Sequence, residues 1–177
     1  YTLKKAILEE LPIRDLIKSR EGDWIPELDL LLDKSSLKEA QVIEFCRSLF
    51  GQALNASINM YGQDLKNKQW IIEPLANIVI SLCTIDTCYK RYKKLDVGEH
   101  KQNTLEVLSL SVSNHYNIII ENARVILAYI DDKNDSSNLL KMFRNWESQL
   151  DYNPNVLSLK AAVVKSLYKY EKYYLDK

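Results

Sequence analysis

Two histidines and three cysteines are the residues of this 177-residue sequence best suited to acid–base, nucleophilic or metal chemistry. His100 stands at the start of a helical pattern and reads as solvated. His115 falls on the apolar face of the same pattern, where a core histidine bonded to a neighbour is expected. Neither has a carboxylate or a second histidine three or four residues further on, so the ExxH and HExxH arrangements that gather ligands on one helix face are missing. Cys46, Cys83 and Cys88 form no CxxC pair, and their odd number fits no secreted disulfide framework. They are expected to be buried, reduced thiols, and no metal is expected.

Other candidates resolve into ordinary helix chemistry. No GxSxG, GxGxxG or GxxxxGK[ST] occurs, and the glycines are too scattered to cradle a phosphate. Within the acidic stretch DDKNDSS at 131–137, the residues from Asp132 resemble the start of a calcium loop. The stretch sets Ser137 where the turn glycine belongs and Phe143 where the bidentate glutamate belongs, so its expected role is to cap the following helix. Lys90, Arg91, Lys93 and Lys94 gather at a helix C-terminus, where cations complement the helix dipole. The tail LYKYEKYYLDK interleaves Tyr with Lys as single-strand-binding surfaces do, but Tyr170 and Tyr174 share a helical face with Leu167, and packing is the expected use. Asn55-Ala56-Ser57 and Asn134-Asp135-Ser136 match the glycosylation pattern and carry no meaning without a secretory signal.

Composition points to one helical domain with a core. There are only four Gly and four Pro, and 24 basic residues balance 24 acidic ones. A near-neutral chain has no electrostatic reason to seek nucleic acid or an anionic membrane, and it self-associates more readily than a charged one. The start, YTLKKAILEELP, lacks an initiator Met and a signal pattern, which reads as a piece of a longer protein. No unbroken apolar run approaches the ~18 residues of a membrane span. A reducing, cytoplasmic setting is expected.

The elements follow from apolar spacing. Residues 2–11 carry Leu3, Ile7 and Leu11 at helical steps, and Pro12 stops them. Residues 19–34 read as an ordered loop anchored by Trp24 and Ile25. Ser35 or Ser36 caps the first long helix, with Glu39 completing a capping box. Its stripe is Val42, Cys46, Leu49, Ala53, Ala56 and Met60, ending near Leu65. Residues 69–95 carry the stripe around which the chain looks organised: Ile71, Leu75, Ile78, Leu82, Ile85, Tyr89 and Tyr92, at alternating steps of four and three. These seven are the candidate packing or interface residues. Pro74 predicts a kink in a continuous helix. A third long helix over 102–130 presents Leu105, Leu108, Val112, His115, Ile119, Asn122, Ile126 and Ile130. Shorter helices follow over 139–150 and 158–175, broken at Pro154. The fold class is all-α, an up-and-down bundle of three long and two shorter helices in one domain: a leading helix and loop to residue 34, then the bundle from 35 to 177.

A family resemblance begins in the second long helix. Leu75-Ala76-Asn77-Ile78-Val79-Ile80, followed by Arg91, resembles the Leu-Ala-[Asp/Asn]-x-x-Ile pattern in the C-terminal helical domain of very-long-chain-type acyl-CoA dehydrogenases. Ile25-Pro26-Glu27-Leu28 resembles that domain's Pro-Glu-Leu start, and Tyr152-Asn153-Pro154-Asn155-Val156 its break before the last helix. The resemblance spreads over residues 1–175. It implies a non-catalytic accessory domain of an FAD-dependent oxidoreductase of fatty acid metabolism, packing on the catalytic core of the parent chain and supporting a dimer or other homo-oligomer. The flavin and the catalytic Glu of that family belong to the preceding core, so none of the catalytic, cofactor-binding or metal residues is assigned here. The Gly-, Leu- and Arg-rich insert tied to membrane attachment in the mitochondrial branch has no counterpart in 19–34, and no membrane association is expected. The alternatives are a free-standing helical interaction module and a small enzyme built around His115.

Overall fold

A computed structural model of the chain describes residues 36–95, 99–134, 138–150 and 152–170. The helix expected over 2–11, the loop over 19–34 with Trp24 and Ile25, the Pro26 motif and Tyr174 lie outside those residues. Among the described residues the fold is all-α: α1 (Leu37–Tyr61), α2 (Gln69–Lys93), α3 (Glu99–Lys133), α4 (Leu139–Leu150) and α5 (Val156–Tyr170), with a 3-10 helix, Gly62–Asn67, joining α1 to α2.

Side-chain pairs give the helix directions. Asn77 on α2 bonds Asn122 on α3, and Cys88 on α2 meets Ser111 on α3. Eleven residues forward along α2 is thus eleven back along α3, and the two are antiparallel. Between α1 and α3, Glu39 meets Ser109 and Phe45 meets Tyr116, both numbers rising together, so these helices are parallel. α4 and α5 run back along α3 one after the other: Asp131 meets Leu139 and Leu140, Arg124 meets Glu147, and Asn103 meets Ser166. The bundle is up, down, up and down, with its fourth column broken at Pro154.

The hub is α3, not α2. At 35 residues it is the longest helix, and it packs on α1, α2, α4 and α5. The regularity of the α2 stripe made that helix look central. A helix flanked on several sides needs apolar residues over more of its circumference, and its single-stripe periodicity weakens accordingly. Around α3 the core gathers Phe45, Leu49, Ile78, Ile85, Ile119, Ile126 and Phe143, all at or below 2% exposure. Burial of each such side chain contributes about 1.5–3 kcal/mol.

Helix ends depart from the expected ones for local reasons. α1 stops at Tyr61 because Gly62 takes a positive φ of 51°, which L side chains rarely adopt, and its N–H closes on the Ile58 carbonyl. α2 passes through Pro74, which is buried. α3 is about one turn longer at either end than the spacing suggests. α5 begins at Val156, two residues early, because the Asn155 side chain accepts the Ser158 N–H at 3.0 Å. The capping box at Ser36 does not form: that helix start has no side-chain cap bond. Glu39 is instead buried and accepts the Ser109 hydroxyl at 2.6 Å. A donor from another helix has displaced the local one. The acidic stretch at the end of α3 does cap the next helix, through Asp131 in the last turn of α3, whose carboxylate accepts the N–H groups of Leu139 at 3.2 Å and Leu140 at 2.8 Å.

Candidate functional site

The seven stripe residues of α2 lie inside this chain's own core. Ile71, Leu75, Ile78, Leu82, Ile85 and Tyr92 are buried, and Tyr89 is partly buried against them. They hold α2 onto α1 and α3. The Tyr92 ring also lies under the Lys101 ammonium of α3, 5.4 Å from its centroid.

Titratable groups come together at the α1–α3 contact, where Glu39, Cys46, Tyr116 and Tyr152 converge. Tyr152 stacks edge-on against Tyr116 at 5.6 Å and donates to the Ser109 carbonyl at 3.4 Å. Burial pushes the Cys46 thiol well above its ordinary range. It does the same to Tyr116, helped by Glu147, and to Tyr152, helped by Glu39. Both hydroxyls and the thiol therefore stay protonated at neutral pH. None can serve as a nucleophile or base there, and the cluster reads as a polar clasp between helices.

His115 is half-buried, and its Nδ1 is buried without a hydrogen-bond partner among the described residues. Desolvation lowers its pKa below the ordinary 6.5. The bonded neighbour expected from its place on the stripe is missing, because apolar spacing reports which way a residue faces and not what faces it. The side chain of His100 lies outside the described residues. Among the described residues no three His, Cys, Asp or Glu side chains gather as metal ligands.

The thiols divide three ways. Cys46 is buried, Cys88 is half-buried against Ser111, and Cys83 is exposed. The expectation of three buried thiols holds for Cys46 only. Cys83 lies on the side of α2 away from its stripe, where apolar residues continue in solvent: Ile80 is 63% exposed and Val79 39%. α2 is also long and apolar enough to cross a membrane by length and composition, contrary to the expectation from unbroken runs. Asn77 and Ser81 break the apolar run from Leu75 to Leu82 without bringing charge, so the average stays apolar. A packed core helix passes the same test.

A groove of about 630 Å³ lies at the end of the bundle where α1, α3 and α4 meet. Gln52, Asn55, Asn59, Lys133, Asn134 and Asn138 are among its polar groups, over Met60 and Met142. Carboxamides and one ammonium can hydrogen-bond a ligand, but among the described residues the lining holds no carboxylate, imidazole or thiol. The described lining therefore offers no acid–base pair.

No family model matches the sequence, and no curated protein matches it. Among solved structures, the fold is similar to the crystal structure of an acyl-CoA dehydrogenase complexed with FAD from Bacillus anthracis. The TM-score is 0.76 at 18% identity, over 97% of this chain and 29% of that one. At that identity the likeness is one of fold. The chain spans less than a third of the length of this neighbour.

Proposed function

We propose that this chain is a non-catalytic helical domain of an acyl-CoA dehydrogenase-like flavoenzyme, the C-terminal domain of the very-long-chain type. It packs on the catalytic core of its parent chain, in the cytoplasm, and supports oligomer assembly. FAD and the fatty acyl substrate belong to the parent's core and not to this bundle. The observation that carries the reading is the fold likeness: nearly all of this chain aligns with under a third of an FAD-bound acyl-CoA dehydrogenase. The chemistry of the bundle agrees, since Cys46, Tyr116 and Tyr152 are held protonated and the groove shows no acid–base pair among the described residues.

The experiment is to sequence the messenger upstream of the codon for Tyr1, then express the whole reading frame. The expected result is an in-frame acyl-CoA dehydrogenase core and a yellow, FAD-loaded product whose dehydrogenase activity survives point changes in this domain that leave it folded. An in-frame stop close upstream, or an upstream sequence unlike a flavoprotein, overturns the proposal. That outcome favours the second reading, a free-standing interaction module, for which the exposed Ile80 and Val79 on α2 are the supporting observation.

A further inference from the structure

Besides the stripe that holds it in the bundle, α2 carries a second one on its opposite side. Glu73, Ala76, Ile80, Cys83, Thr87 and Lys90 follow one another at alternating steps of three and four, and all six are exposed. That is the spacing of a helix-pairing seam. Ile80 at its middle is 63% exposed. The Thr87 hydroxyl donates to the Cys83 carbonyl at 2.8 Å, so it needs no polar partner across a contact. Ala76, Cys83 and Thr87 are small enough to let another helix approach closely.

The seam is complementary to itself when reversed. Read backwards against a second copy, Glu73 faces Lys90, Ala76 faces Thr87, and Ile80 faces Cys83, with every pair occurring twice about a two-fold axis. A carboxylate at one end meets an ammonium from the other end, and the centre is uncharged. A parallel copy sets Glu73 against Glu73 and Lys90 against Lys90, which repel. The balanced net charge of the chain does not oppose self-association. We propose that the partner of this face is a second copy of the same chain, its α2 antiparallel to the first, with the two-fold axis between Ile80 and Cys83. This gives a surface to the assembly role proposed above and does not rest on flavoenzyme parentage, so the upstream-sequence test and the test below fail separately.

The test uses the 177-residue chain. In sedimentation velocity at micromolar concentration the wild type should be a dimer and Ile80→Glu a monomer, with matching circular dichroism because Ile80 is a surface residue. Glu73→Lys should weaken the dimer, and adding Lys90→Glu should restore it. The register is read by mild oxidation of wild type mixed with a size-tagged Ile80→Cys/Cys83→Ser chain. The mixture should cross-link between Cys83 and the introduced thiol. Either chain alone should cross-link less readily, because like positions are offset by three residues, about 4.5 Å along the axis, which carries their Cα separation toward the ~7 Å limit for a disulfide. A monomeric wild type, a dimer that survives Ile80→Glu, a charge swap that fails to restore association, or wild-type chains that cross-link to each other as readily as the mixture overturns the proposal.

Discussion

Glu39 of α1 and Ser109 of α3, seventy residues apart, share a buried hydrogen bond of 2.6 Å, hydroxyl to carboxylate. The bond ties the start of the first described helix to the hub of the bundle, and Tyr152 closes over it by donating to the Ser109 carbonyl. A hydrogen bond to a charged group contributes about 1.5–3 kcal/mol. Ser109→Ala should therefore lower unfolding free energy by about that much. Glu39→Gln, which keeps a carbonyl acceptor at the same reach, should cost clearly less. Urea unfolding of the two variants checks this, and equal losses would mean that packing and not the bond is at stake.

Thiol reactivity should follow exposure and protonation. In dilute protein Cys83 should react with a maleimide at the rate of a surface thiol, and Cys88 more slowly. Cys46, buried and held protonated, should react only on unfolding. Mass spectrometry over a time course, with and without urea, resolves the three. Early labelling of Cys46 would be incompatible with its place in the core.

The pH dependence of stability should carry the mark of His115. Its pKa in the fold lies below the 6.5 of the free group because of desolvation. The unfolded chain thus binds the proton more readily, and stability rises with pH across the interval between the folded value and 6.5. The histidine contributes no penalty above that interval and a growing one as pH falls through it. His115→Gln, which stays neutral, should flatten this part of the profile. Urea midpoints from pH 5 to 7.5 measure it, and an unchanged slope in the variant would assign the effect to other groups.

Much of the architecture was legible in the sequence because apolar spacing is imposed by burial itself. The α2 stripe from Ile71 to Tyr92, the break at Pro154 and the capping role of the 131–137 stretch all follow from periodicity or from backbone rules local to a few residues. What failed was whatever needed a partner from elsewhere in the chain. Ser36 and Glu39 have capping-box spacing, but the donor that reached Glu39 came from Ser109. His115 has core spacing, yet nothing in its spacing says whether a partner stands opposite Nδ1. Cys83 looked like any cysteine in an apolar helix until the other helices left its side of α2 uncovered.

The sequence by itself determined the order of the described helices and the inner face of α2, since these depend on steps of three and four and on proline and glycine punctuation. Tertiary structure decided the rest. It made α3 the hub, because which helix touches all others depends on how four columns pack and not on the pattern of any one. It buried Glu39 and held Cys46, Tyr116 and Tyr152 protonated, because desolvation exists only once chains close around a group. It also left Ile80 and Cys83 in solvent, for no helix of the described bundle packs on the outer side of α2.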